Sequence, residues 1–363
     1  MRVMYLLDTF ENPYAGTESQ LIKQLKRLPD YSVQAEMTVL RSSDYLDSVD
    51  DFVCPVQNLK IYSIARPASV QKMWQFARQT KARGFEIVHI YFNDASILAP
   101  MILKAAGLKV IITRLDMGYW LTPVNQRILQ FNQRFLDAAI TNGQAVKQLT
   151  ADKEHVPLDK IHVIYNGYES QQAETTAVVP QFDASTFVVG HVANIRPIKR
   201  QDDLIRAFHQ LHQAVPDSHL VIVGGGDRQD LEALVDALDI RAVVTFAGQQ
   251  NPVEPWINLF DVAVLCSESE GFSNSLVEYL KQGKPSICTA VGGNPEIVQD
   301  GKNGYLISVG DVDAMAGHLL QLQSDARLYA QMSQTARDTV ADKFTMQRMM
   351  QGYVDVYQAL YPV

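Results

Sequence analysis

Short, unbroken apolar runs alternate along this chain with longer segments whose apolar residues recur at helical spacing. In the second half, the runs Phe187–Val192, Leu220–Val223, Val243–Phe246, Val262–Leu265, Ser286–Thr289 and Tyr305–Ile307 predict strands. Helical patterns fall between them over Asp202–His212, Gln229–Leu238, Ser275–Gln282 and Asp313–Leu322. Strands that are apolar throughout are covered on both faces, as in a parallel sheet between helices. The first half repeats the theme. Its predicted strands are Val3–Leu7, Val33–Leu40, Ile87–Tyr91, Val110–Thr113, Ala138–Thr141 and Ile161–Ile164, with helices over Thr17–Leu28, Val70–Ala82 and Ala95–Ala105.

The pattern therefore predicts an α/β chain of two doubly wound, Rossmann-like domains, covering 1–168 and 187–345 and joined by a polar, Gln- and Thr-rich linker over 169–186. Beyond them, Met346, Met349, Met350, Tyr353, Val354, Tyr357, Leu360 and Tyr361 keep helical spacing. Residues 346–363 are assigned to the first domain in space; the other reading is a helix capping its own domain. Open α/β sheets bind ligands beyond the carboxyl ends of their strands, so the expected site is the cleft between the domains.

Length agrees with this division, because 363 residues suffice for two cores. With 47% hydrophobic and 20% charged residues, the composition excludes a disordered chain, a collagen-like repeat or a disulfide mini-scaffold. No apolar run reaches the roughly 18 residues of a membrane span. Met1–Leu7 carries one basic residue and reads as a strand, not a signal peptide. Cys54, Cys266 and Cys288 are far apart and form no CxxC, which fits a reducing cytoplasmic compartment and no zinc site.

Charge sharpens the picture. The formal net charge of −8 divides into +2 over residues 1–170 and −10 over 171–363. An acidic whole argues against nucleic acid as a partner. Val56–Phe85 nevertheless holds six basic residues (Lys60, Arg66, Lys72, Arg78, Lys81, Arg83) and no acidic one, with Trp74 and Phe76 among them. Such a stretch reads either as a solvated face over a core stripe or as a peripheral contact with the inner membrane face.

The chemistry concentrates after the strand Val262–Leu265, in Glu268-Ser269-Glu270-Gly271-Phe272-Ser273-Asn274-Ser275-Leu276-Val277-Glu278. A glycine and small polar residues precede a helix whose start is signalled by Ser275 with Glu278 three residues on. Free N–H groups there favour a phosphate or a sugar hydroxyl. Glu270 and Glu278 can only accept hydrogen bonds when ionised, so they suit hydroxyls and not phosphate. Alternatively, Glu278 forms a capping box with Ser275 and Glu270 is a solvated loop carboxylate. Rival motifs fail: Gly224-Gly225-Gly226 lacks the third glycine of a dinucleotide fingerprint, no P-loop occurs, and Asp311-Val312-Asp313 reads as a helix N-cap.

The pair Glu270 and Glu278, seven residues apart, resembles the E-x7-E motif of retaining glycosyltransferases with the GT-B fold, particularly glycosyltransferase family 4. The likeness extends to Asn194-Ile195-Arg196-Pro197-Ile198-Lys199-Arg200, to Leu220–Gly226 and to Val291–Val298 followed by Gly301–Gly304. It implies that Glu278 holds ribose hydroxyls, Glu270 the transferred sugar and Lys199 the diphosphate. The donor also meets Gly271, Phe272, Ser273, Asn274, Ser275 and Leu276. Many members place Arg where this chain has Asn194, so the resemblance leaves Arg196 or Arg200 to bring the second positive charge.

In the first domain, Ala15-Gly16-Thr17-Glu18 resembles the family's glycine-rich loop, placing Gly16 and Thr17 near the donor. A plain strand-to-helix turn is the other reading. Many members carry His just after the strand matching Val110–Thr113, whereas this chain offers Asp116 as the nearest polar substitute; His89 reads as a core histidine. The implied activity is metal-free transfer of a hexosyl unit, UDP-linked, to a carbohydrate or lipid-linked acceptor in cell-surface polysaccharide or glycolipid synthesis. No cofactor is expected. A nucleotide-sugar epimerase and a noncatalytic nucleotide-sugar-binding protein are the alternatives.

Overall fold

The computed structural model describes residues 1–169 and 179–361. Half of the expected linker, residues 170–178, lies outside the described residues, as do 362–363. The chain divides into one unit of Met1–Gly167 with Met346–Val363 and another of Tyr168–Thr345.

In the first unit, strands β1 (Arg2–Leu7), β2 (Gln34–Val39), β3 (Val56–Asn58), β4 (Ile87–Ile90), β5 (Lys109–Arg114), β6 (Ala138–Thr141) and β7 (Ile161–Val163) form a parallel sheet of order β3-β2-β1-β4-β5-β6-β7. Alternation along β1 feeds two cores. Val3, Tyr5 and Leu7 join the core completed by Met346, Met349, Met350, Tyr353 and Tyr357, whereas Met4 and Leu6 face Met73, Phe76 and Leu103. The helix Met346–Leu360 thus supplies one face of the first domain's core.

A buried polar network fixes that helix. His89 meets the Tyr357 hydroxyl at 2.8 Å and Thr113 at 2.6 Å, and Tyr5 meets Tyr357 at 2.7 Å. Burial pushes the His89 imidazole down to about 3, so it is a neutral core residue.

In the second unit, β8 (Phe187–Val192), β9 (Ser218–Val223), β10 (Val244–Gly248), β11 (Val262–Leu265), β12 (Ser286–Thr289) and β13 (Gly304–Ile307) form a parallel sheet of order β10-β9-β8-β11-β12-β13. Its ends are tied together, with Tyr168 N–H donating to Phe344 O at 2.8 Å.

Several elements depart from the sequence pattern. The helix expected over Ala95–Ala105 is broken into Asn93–Leu98 and Pro100–Ala105, because Pro100 has no N–H to continue the ladder. The basic stretch contains β3 as well as the helix Pro67–Ala82. Helices Pro123–Asn132, Gln144–Glu154 and Ala326–Lys343 have no counterpart in the predicted set.

Candidate active site

In an open sheet, the crevice opens where strand order reverses, here between β8 and β11. The loops leaving those two strands are the basic loop and the Glu270 loop. They are joined by backbone and thiol bonds: Glu268 N–H donates to Ile198 O at 2.8 Å, and Cys266 Sγ donates to Lys199 O at 3.2 Å and Arg200 O at 3.1 Å. Burial pushes the Cys266 thiol up to about 12, which keeps it a donor.

The triple glycine explains the course of the basic loop. Ala193 N–H donates to Val223 O, and Ile195 N–H to Gly225 O. A Cβ on Gly224 would lie 1.9 Å from Ala193 O, and one on Gly226 2.6 Å from Ile195 O. These glycines form a floor for the basic loop. A short 3-10 turn over Pro197–Lys199 follows, then Arg200 at φ +51° leads into the helix Gln201–Ala214. Arg200 Nε sits 2.6 Å from Asp203 Oδ2, and this bond holds the guanidinium charged, raised from its ordinary value. Arg196 and Asn194 are exposed.

Lys199 and Glu270 are brought into direct contact. Nζ lies 2.5 Å from Oε1, with only 21% and 12% of the two side chains exposed. Ser267 Oγ donates to the same oxygen at 2.6 Å and is fully buried, while its carbonyl accepts from Thr289 Oγ1 at 2.6 Å. Sequence reasoning missed Ser267; its place three residues before Glu270, just past a buried strand, was the available signal. The loop after β12 closes on the same backbone: a Cβ on Gly292 would lie 1.6 Å from Glu270 O.

The helix bearing Glu278 starts earlier than expected. It spans Asn274–Lys281, and its N-cap is Ser273, whose Oγ accepts from Leu276 N–H at 3.3 Å. Ser275 lies inside the first turn and donates to Val192 O at 2.8 Å. The residue three beyond the true cap is Leu276, so the capping box of Ser275 with Glu278 does not form. Glu278 is half-buried one turn along this helix.

Other candidates are committed to packing. Leu276 is fully buried, and Phe272 packs against the Phe344 ring at 5.6 Å, so neither side chain is free for a donor. Asn274 Oδ1 accepts from Tyr168 at 2.8 Å. Gly271 leaves its backbone beside Glu270.

Gly16, Thr17 and Asp116 belong to the first domain. Gly16 opens the helix Gly16–Arg27, which has no side-chain cap, and Thr17 follows half-buried. Asp116 Oδ1 accepts from Gly118 N–H at 2.6 Å, and burial pushes its carboxyl up against that bond. Asp116 thus shapes its own turn. Asp311 is a helix N-cap, accepting from Ala314 N–H at 3.0 Å. Among the described residues, no group of three or more His, Cys, Asp or Glu could hold a metal ion. No described helix is long and apolar enough to cross a membrane. In the basic stretch, Phe76 is core whereas Tyr62, Val70 and Trp74 are exposed; Lys81 pairs with Glu86 and Arg83 with Glu36.

Comparison with known proteins adds the family. The glycosyl transferases group 1 model matches residues 173–339 and the glycosyltransferase family 4 model residues 34–172. The chain is 32% identical over 207 residues to N-acetyl-alpha-D-glucosaminyl L-malate synthase of Bacillus anthracis, covering 55% of this chain and 54% of that one. It therefore matches about half the length of that relative. It is 23% identical over 366 residues to the UDP-Gal:alpha-D-GlcNAc-diphosphoundecaprenol alpha-1,3-galactosyltransferase of Escherichia coli, covering 94% and 93%. The solved structure of Anabaena Alr3699/HepE in complex with UDP shares the fold, with a TM-score of 0.84, 20% identity and coverage of 99% and 100%. Two consecutive family matches on this fold establish that the chain belongs to the GT-B glycosyltransferases of the family 4 type.

Proposed function

We propose that this protein transfers a hexosyl unit from a UDP-linked donor to a carbohydrate or lipid-linked acceptor, with retention of anomeric configuration, in cell-surface polysaccharide or glycolipid synthesis. The observation that carries the reading is the cluster of Lys199, Glu270 and Ser267 at the crevice between β8 and β11. A half-buried lysine beside a carboxylate offers a cation for phosphate and an acceptor for sugar hydroxyls in one place. UDP in the HepE complex, and the UDP-Gal donor and lipid-linked acceptor in the name of the Escherichia coli relative, support the choice of substrates.

In the reaction, the bond from the anomeric carbon to the β-phosphate oxygen breaks, and its electron pair stays on the phosphate. The acceptor oxygen bonds to the anomeric carbon on the same face, and its proton passes to that phosphate oxygen. Lys199, a loop arginine and backbone N–H groups stabilise the departing diphosphate without a metal. Glu278 binds the ribose. The exposed Tyr62, Val70 and Trp74, beside Arg66, Lys72 and Arg78, form a peripheral contact for anionic lipid.

A thermal-shift panel of UDP, GDP, ADP and NAD tests the nucleotide, since bound ligand raises apparent stability. UDP should give the largest shift, and incubation with UDP-sugar and acceptor should give a product of unchanged anomeric configuration, in chelator as well as without it. Donor conversion without acceptor would indicate an epimerase instead. Binding with neither transfer nor slow hydrolysis would indicate a noncatalytic protein.

A further inference from the structure

The basic loop carries three cations, and the structure commits two of them. Arg200 spans both oxygens of Asp203 at 2.6 and 3.2 Å while its carbonyl takes the Cys266 thiol, so its charge serves the fold. Lys199 is matched by Glu270 at 2.5 Å. Arg196 has no carboxylate partner among the described residues and is exposed. Arg196 caps the turn that carries Lys199, whose N–H donates to Arg196 O at 2.9 Å. Arg196 is thus the standing positive charge of the loop that carries Lys199.

We propose that Arg196 captures the diphosphate, while Glu270 holds Lys199 in reserve until a sugar arrives. This rests on the donor-site reading above. The Lys199 ammonium and the Ser267 hydroxyl both donate to Glu270 Oε1. When sugar hydroxyls also donate to this carboxylate, its charge is shared and its grip on Lys199 weakens. The lysine's flexible stem then lets the ammonium turn to the leaving phosphate. A free nucleotide has no such hydroxyls and leaves the pair closed. Recognition of the sugar thereby delivers the cation that the departing diphosphate needs. Once the sugar has gone, the pair closes again and loosens the spent nucleotide.

Calorimetric Kd values for UDP test this in four proteins: the unaltered chain, Arg196→Ala, Glu270→Gln, and the double variant Lys199→Met with Glu270→Gln. Arg196→Ala should weaken UDP by roughly tenfold. The double variant removes the pair as a neutral unit and should bind UDP within about twofold of the unaltered chain, with transfer lost. Loss of UDP affinity in the double variant as large as in Arg196→Ala would overturn the proposal, because Lys199 would then already be on the diphosphate. The near-isosteric Glu270→Gln serves if the double variant fails to fold. It should tighten UDP by roughly threefold, and unchanged or weakened binding would equally overturn the proposal. If the unaltered chain binds none of UDP, GDP and ADP, the donor-site reading itself falls.

Discussion

The two domains share a strand order and use its reversal point differently. In the first, β1 is followed by Asp8, which is 7% exposed and accepts from the backbone N–H groups of Asn93, Asp94 and Ala95 at 3.0, 2.9 and 2.7 Å. The helix start that could receive an anion is filled by the chain's own carboxylate. In the second, β8 and β11 end in loops whose charges pair with each other, Lys199 with Glu270. In one crevice the carboxylate serves the backbone, and in the other it meets a cation, which the proposed function turns toward the donor. The same topology therefore does not confer the same site; the residues at the strand ends do.

The largest expected effect tests the second crevice. Lys199→Ala should lower turnover by a factor of about 10² to 10³, the usual loss when one preorganised charge is removed from the leaving group. Near-normal turnover in a steady-state assay would detach Lys199 from the phosphate. The first crevice should respond in stability instead. Asp8→Ala strands three N–H groups and should cost about 2–3 kcal/mol in denaturant unfolding, with nucleotide affinity in the folded protein unchanged. A loss of affinity without destabilisation would make the two crevices alike.

Acid separates the same regions more gently. His89 is held neutral, with a folded pKa near 3, below its unfolded value, so the unfolded chain takes up the proton first as pH falls. Stability present above pH ~6.5 should decline towards pH 3 by about 1.4 kcal/mol per unit from this one group. His191, pushed down to about 4 by burial, acts alike in the second domain. Replacing His89 with Gln should flatten the slope, and an unaltered acid limb would show that other groups govern it.

Ser267→Ala should reduce turnover by roughly fivefold, because Glu270 keeps Lys199 but loses its second donor. A shift in Tm with turnover preserved would make Ser267 structural only. The smallest effect is at the surface: Trp74→Ala should lower retention on anionic vesicles severalfold, with no change on neutral ones. Equal retention would leave the basic stretch as a solvated face.

Legibility in the sequence followed what each element buries. β8, β11 and β12 are buried on every residue, and their bounds were readable to the residue. The helices that pattern missed bury polar or small side chains. Asn132 donates to Ser96 O and Ile97 O, Glu154 pairs with Arg114 at 2.6 Å, and Ala326–Lys343 turns Ser333, Ala336 and Thr339 inward. Such faces carry no hydrophobic period. At the site, Lys199 and Glu270 were legible as residue types at strand ends. Their contact was not, because it joins residues 71 apart in sequence, and the supporting Ser267 and the true cap at Ser273 rest on loop geometry that residue types alone do not specify.

The helix Met346–Leu360 has a further consequence, for synthesis. Gly167 ends the first domain's opening segment, and its Cα backbone approaches Met346 so closely that a Cβ would lie 2.7 Å from Met346 Cα. Everything between those two residues must be translated before the core around Tyr5 and His89 can be capped. At roughly 5–20 residues per second, the interval is about ten to forty seconds. Throughout it, the face that later takes Met349, Met350, Tyr353 and Tyr357 is uncovered on the ribosome, while the second domain completes itself. The half made first is therefore finished last, and a ribosome that stalls before Met346 leaves a folded second domain attached to an open, adhesive first one.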